Sequence, residues 1–429
     1  MRALPPRAPL SVLAAVLAAA LLGACCKCAP APATAASSAP PPPATASTPA
    51  EPAAPPPDPA VVQSGGAASP APPGGLKPNQ VPQFVVLGFD DNGISGMPGS
   101  PTTGGIRWVV EDLFAGRKNT DGSPALASFY VATRYLEAPE TDAPEHVKRA
   151  LRAAADAGHE IALHTHTHPH GAAFGSAQWG EEIATCSAWL EKPFDAARAA
   201  DEAIGIGVPR AEQLGFRTPF LEHGPALFPA LRAHSLAYDC SVEVGFEAAY
   251  DGRNLPWPYR IAPGYGAGPA PASRRSRGPG AVPNVGTREL WELPVYMLTV
   301  PPDEECERYN IRPGLRARLH QLHDYFDPAD GKITGFDWNL WVEFQMSGPE
   351  VLATLLYSLD QRLAGNRAPL TIGVHSDVYS EQYGGVTTST ADERRQALRT
   401  FLDAALAWPM VRVASARQLL AWLRAPVPL

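Results

Sequence analysis

Four of the chain's 11 histidines fall at alternate positions of "HTHTHPH", at 164, 166, 168 and 170. Neutral imidazole is the commonest side-chain metal ligand. His164 and His168 are spaced so that one helical turn or a tight loop brings both rings onto one ion. His166 and His170 then point elsewhere. A carboxylate from a neighbouring strand end completes a two-histidine, one-aspartate set and leaves positions open for water and a substrate oxygen. Hydrolysis also needs a base for the water and an acid for the leaving group. The adjacent Asp90 and Asp91 can divide metal binding and base duty between them. His375 is the candidate acid, and Arg217 can hold the base carboxylate ionised and oriented.

These residues need elements to carry them. "FVVLGFDD" (84–91), "SFYVAT" (128–133), "HEIALHT" (159–165), "LAYDCSV" (236–242), "LWELPVYML" (290–298) and "LTIGVHS" (370–376) read as strands. "EQLGFRTPF" (212–220) reads as a strand running into a loop. Between them lie helical patterns at 145–158, 180–205, 225–235, 349–365 and 392–408, and a last strand and helix at 410–425. The alternation predicts an α/β fold, a distorted (β/α) barrel, with a Gly- and Pro-rich loop insertion at 246–288. Such barrels keep their chemistry at the C-terminal ends of the strands. Asp90, Asp91, His164, Arg217 and His375 all fall there.

The 429 residues are 45% hydrophobic with a net charge of −8, enough for a sizeable core and unfavourable for a nucleic-acid partner. One basic cluster, 273–278, reads as an exposed loop. Residues 1–24 read as a signal peptide ending in "LLGAC", a lipoprotein pattern that makes Cys25 the lipidated residue. Cys26 and Lys27 follow instead of an aspartate, which points to the outer membrane. Residues 25–80, rich in Pro, Ala, Ser and Thr, read as a disordered tether to a catalytic domain at 81–429. The expected protein is an exported, lipid-anchored monomer facing the periplasm or cell surface. Of Cys186, Cys240 and Cys306, one pair can form a disulfide in an oxidising compartment.

The motifs resemble those of the polysaccharide deacetylases of the NodB-homology type, carbohydrate esterase family 4. "FDDN" (89–92) is similar to the family's first motif, "HTHTH" (164–168) to its metal motif, and "RTPF" (217–220) to its third. "IGVH" (372–375) sits where the late histidine belongs. The layout is most similar to the chitin-deacetylase-like branch. The resemblance implies Asp90 as base, Asp91, His164 and His168 as ligands of a divalent metal, zinc above others, and Arg217 as the residue that positions Asp90. It implies His375 as the acid for the departing amine, and the Phe220 backbone N–H as an oxyanion donor. The implied partner is an N-acetylated polysaccharide, and the products are acetate and a glucosamine unit.

The chain departs from the family pattern at four places. Gly88 and Asn92 stand where threonine and glycine are usual, and Gly373 replaces a leucine that walls the acetyl group. The fourth motif, Asp-x-x-x-Trp in form, is not clean. Asp239 and Trp291 are its candidates, with Asp239 as partner of His375 and Asp377 as a rival. Trp257, with Tyr259 and Tyr265, either stacks on sugar rings or anchors the insertion to the barrel, and "FDWNLW" (336–341) offers the same choice. Tyr379 is placed to line the cleft. Two other readings use the same residues: a small-molecule or peptide amidohydrolase, and a non-catalytic glycan-binding module. The module has no need of both a base and an acid.

Overall fold

Register carries the site, so the strands are given by their ends. β1 is Gln83–Asp90, β2 Ser128–Val131, β3 Glu160–Leu163, β4 Gly215–Phe216 and β5 Tyr238–Asp239. β6 is Tyr259–Arg260, β7 Trp291–Glu292, β8 Leu370–His375 and β9 Val411–Val413. In this computed structural model, which describes residues 68–261, 289–386 and 388–429, they form one sheet in the order β8-β1-β2-β3-β4-β5-β7-β6, with β9 also on β1. All pairings are parallel except that of β6 with β7.

The register aligns the C-terminal ends. Asp90 pairs with His375, Val131 with Leu163, Leu163 with Phe216, and Phe216 with Asp239. The residues that follow these ends, Asp91, His164 and Arg217 among them, are therefore neighbours. β1, β2 and β3 are buried along their whole length, as expected of parallel strands covered on both faces.

The sheet curls but does not close. Beyond β7 the chain breaks into two-residue strands, Val295–Tyr296 paired with Glu243–Val244 and Leu298–Thr299 paired with Lys332–Ile333. A single parallel bridge, Phe336 to Gly373, ties this region to β8. The expected distorted (β/α) barrel is thus observed. The long strand expected at 290–298 is instead three short pieces, because Pro294 lacks the N–H of a continuous ladder.

The helices cover the outside. Pro144–Asp156 opens on a proline and buries Val147, Ala150, Leu151 and Ala154, one face at helical spacing. Ser176–Glu191 ends before Pro193, whose ring cannot continue it, so the helical pattern expected over 180–205 is cut short there. Gly348–Ala364 and Ala391–Leu406 begin with reciprocal Ser347–Glu350 and Thr390–Glu393 caps.

The three cysteines of the described residues are buried and free, so the disulfide open to one pair of them is not formed. Each thiol faces a different partner: Cys186 the Val131 carbonyl, Cys240 the Arg217 guanidinium, and Cys306 the Pro302 carbonyl. The described residues fall within one unit, Pro57–Leu429. The signal peptide at 1–24, Cys25, the tether as far as 67, Tyr265 and the basic cluster at 273–278 lie outside them. Among the described residues no helix is long and apolar enough to cross a membrane.

Candidate active site

His164 follows β3 directly. Its Nδ1 lies 2.9 Å from the Arg217 carbonyl, so that nitrogen carries the proton and donates, leaving Nε2 as a free lone pair. The chain then turns sharply, with Thr165 at φ 68° and His168 at φ 56°. The turn is held from outside. Glu182, on the helix Ser176–Glu191, accepts from the backbone N–H of His166 and of Thr167 and from the Thr167 hydroxyl. The Thr165 hydroxyl accepts the N–H of His168 at 3.2 Å. The result brings the His168 ring within 5.2 Å of the His164 ring.

Asp91 meets them from β1. Its Oδ1 is 3.5 Å from His164 Nε2 and 3.0 Å from His168 Nε2. One ligand atom from each residue lies within 4.8 Å of the other two. Asp91 Oδ1 is buried and accepts no well-directed hydrogen bond, as expected of an oxygen whose partner is an ion. Burial pushes the Asp91 carboxyl up, but His164, His168 and His375 outweigh it and hold it well below the usual carboxylate range. A carboxylate oxygen and two imidazole nitrogens facing one point fit a divalent ion.

Asp90 turns to the other side of the strand end. Its Oδ1 receives Arg217 Nη1 at 2.6 Å, and its Oδ2 lies 4.0 Å from His164 Nε2. Both partners of the ion pair are almost fully buried. Removing one would leave the other as an uncompensated buried charge, at a cost of about 3–5 kcal/mol. Asn92 holds the corner. Its amide donates to the Phe89 and Tyr130 carbonyls, and its oxygen accepts from Ser376. Its φ of 67° explains the residue: after glycine, asparagine tolerates this conformation best.

His375 ends β8 beside Asp90. Its Nδ1 is bonded to Asp337 at 2.8 Å, and its own N–H donates to the same carboxylate at 3.1 Å. Burial alone would lower this imidazole. The hydrogen bond and charge of Asp337, with the charges of Asp91 and Asp90, outweigh burial and raise it to about 9.

Asp337 is the residue that sequence reasoning missed, and it corrects the assignment of Asp239. Asp239 is fully buried, accepts from the Ser241 hydroxyl at 2.8 Å and adjoins Glu292, far from the role given to it. Asp377 is no partner either, since it accepts the N–H groups of Gly93 and Ile94. The Asp-x-x-x-Trp form was present all along as Asp337 and Trp341 in "FDWNLW". That corrects Trp291, which lies in β7 with the Arg260 guanidinium over its ring.

Of the two roles open to Trp257 the structure shows the anchoring one, and the placing of Tyr379 is corrected. Trp257 is buried, donates from its indole to the Asn366 carbonyl and packs 5.8 Å from Trp422. It anchors the insertion, as does the buried Tyr259. Tyr379 is buried too, stacked on Trp108 at 5.2 Å, and its phenol is raised by burial and by nearby Asp337. Phe220 behaves differently. It is 55% exposed, its ring centre is 4.7 Å from that of His168, and His170 stacks on it at 4.1 Å. Trp338, next to Asp337, is also exposed.

Backbone conformation marks the same place. Among the described residues ten non-glycine residues have positive φ, and six of them are Asp91, Asn92, Thr165, His168, Phe220 and Leu221. Each costs of order 1–3 kcal/mol, and such strain gathers where side chains must be aimed.

Residues 124–199 match the family model described as polysaccharide deacetylase. The chain is 26% identical over 367 residues to chitin deacetylase 8 of Bombyx mori, covering 83% of this chain and 74% of that protein. It is 25% identical over 175 residues to chitin deacetylase 1 of Bombyx mori, covering 40% of this chain and 27% of the relative. A solved structure from Mycobacterium smegmatis that goes by the name polysaccharide deacetylase has 16% identity and a TM-score of 0.49, with 84% of this chain and 96% of that one covered.

Proposed function

We propose that the polysaccharide-deacetylase superfamily domain of this chain, of the carbohydrate esterase family 4 or NodB-homology kind, is a working N-deacetylase. It removes the acetyl group from N-acetylglucosamine units of an envelope or extracellular polysaccharide and releases acetate. The observation that carries this reading is the convergence of Asp91, His164 and His168 beside a buried Asp90 and an Asp337-bonded His375, whose strand ends are paired.

Asp91, His164 and His168 would hold a divalent ion, zinc by preference for this donor set, which would supply a Lewis acid for an amide carbonyl and acidify water. The chain's own groups do the rest. Asp90, held by Arg217, takes the proton of the attacking water. His375, protonated and fixed by Asp337, gives a proton to the departing amine. The Phe220 N–H, set by a positive φ at the turn after Pro219, serves the oxyanion. The exposed rings of Phe220 and Trp338 offer faces for sugar stacking. The chitin deacetylases of Bombyx mori named above favour a glycan substrate. The leader and Cys25 support an exported lipoprotein at the cell envelope, and we take the catalytic unit to be a monomer.

The test is acetate release from chitooligosaccharides and from peptidoglycan fragments by zinc-loaded protein. Asp90→Asn is expected to lower turnover by about 10²–10⁴-fold while keeping its metal. Release of acetate from small amides alone would make it a small-molecule amidohydrolase. Glycan binding without turnover in wild type would make it a binding module.

A further inference from the structure

Two departures from the family motifs, Gly88 and Gly373, are register partners on adjacent strands. Each lies two residues before a site residue, Asp90 and His375 respectively, so both face the same side of the sheet as those residues. A Cβ on Gly88 would lie 2.7 Å from the Tyr130 ring and 2.9 Å from both Arg217 Nη atoms. A Cβ on Gly373 would lie 2.3 Å from the Phe336 ring. The space the glycines leave is filled by one arrangement. The Arg217 guanidinium carbon sits 4.2 Å from the centre of the Tyr130 ring and 5.3 Å from that of Phe336.

The edges of the guanidinium are fixed as well. Nε donates to the Cys240 carbonyl, Nη2 reaches the Cys240 sulfur at 3.0 Å, and Nη1 donates to both the Gly88 carbonyl and Asp90. Phe336 is delivered to this layer by its bridge to β8, where the Gly373 N–H donates to the Gly335 carbonyl at 2.8 Å. The same segment carries Asp337 to His375 one residue later.

We propose that Phe336 is a positioning residue for the base: with Tyr130 and the paired glycines it forms a slot that holds the Arg217 guanidinium in the plane from which Nη1 meets Asp90. Gly373 is then required for the Phe336 ring. The inference rests on the reading of Asp90 as base. Through Asp337 on the same segment, one short stretch of chain sets both the base and the acid.

Phe336→Leu keeps an apolar branched side chain, somewhat smaller, and removes the ring face. It is expected to lower kcat by about tenfold or more, in keeping with the cost of small misplacements at a reacting centre, with KM and metal content unchanged. Gly373→Ala is expected to act the same way by displacing the ring. Phe336→Ala/Gly373→Ala is then no worse than Phe336→Ala, since no ring is left to displace. In protein labelled with ¹⁵N-arginine and kept free of metal, the Arg217 Nη protons should be resolved in wild type and averaged in Phe336→Leu, with Arg217→Lys giving the assignment. Wild-type kcat and a still-hindered guanidinium in Phe336→Leu would overturn the proposal. So would independent, multiplying effects of Phe336→Ala and Gly373→Ala. A wild type that released no acetate would sink the proposed function, and the guanidinium signals would still decide the slot.

Discussion

The metal loop and the His375–Asp337 pair solve the same problem in opposite ways. In the loop, both histidines come from five consecutive residues, and their aim is set by local turns and one carboxylate, Glu182, on the helix that follows. In the pair, the two partners are 38 residues apart in sequence and meet only because a short segment bridges to β8. The loop places two of the three candidate ligands through local turns, and Asp91 meets them from β1. The pair fixes the charge on an acid through burial and a distant carboxylate. The placing of the two histidines is thus encoded locally, whereas the third candidate ligand, Asp91, and the proton inventory are brought in by tertiary contact.

The two halves should fail differently. The largest effect on turnover belongs to the loop: His168→Ala is expected to abolish activity and to reduce bound metal, measured by elemental analysis, to near zero. Metal retained at full stoichiometry would break the contrast. Next comes Asp337→Asn. The hydrogen bond and charge of Asp337 help raise the His375 imidazole to about 9. Losing that charge lowers the value, so the basic limb of the kcat/KM profile is expected to move to lower pH, with metal content unchanged. A basic limb that stayed in place would remove Asp337 from the tuning of the acid.

Glu182→Ala sharpens the comparison from the loop side. It removes the carboxylate that holds two N–H groups of the turn but no ligand. Metal affinity by titration calorimetry is expected to fall about tenfold, the lower end for outer partners of a metal site, and the pH profile of the metal-saturated enzyme should stay where it was. The smallest effect on catalysis is expected for Trp257→Ala. That ring packs on Trp422, so stability should fall by about 3 kcal/mol, while KM for a chitooligosaccharide is unchanged. A raised KM would return Trp257 to the sugar site.

The barrel was legible because parallel strands announce themselves as short apolar runs that end in polar residues, as "FVVLGFDD" and "EIALH" do. The candidate ligands were legible because their spacing is local. The partner of His375 was not, although the Asp-x-x-x-Trp form stood in "FDWNLW", because nothing in the sequence says which acidic residue an imidazole will meet. Tyr379 was misplaced, and the choice for Trp257 was left open, for a related reason. An aromatic residue in a loop has the same letters whether it faces solvent or packs on Trp422 or Trp108.

The sequence by itself determined the strand rhythm, the two histidines at loop spacing and the paired aspartates at a strand end, since each depends on neighbours along the chain. The tertiary structure alone decided that Asp337 charges His375, that Asp239 pairs with Ser241, and that Gly88 and Gly373 make room for a clasped arginine. The physical reason is distance. Local geometry is written in adjacent residues, whereas burial, charge coupling and ring stacking arise only when segments tens of residues apart are packed into one place.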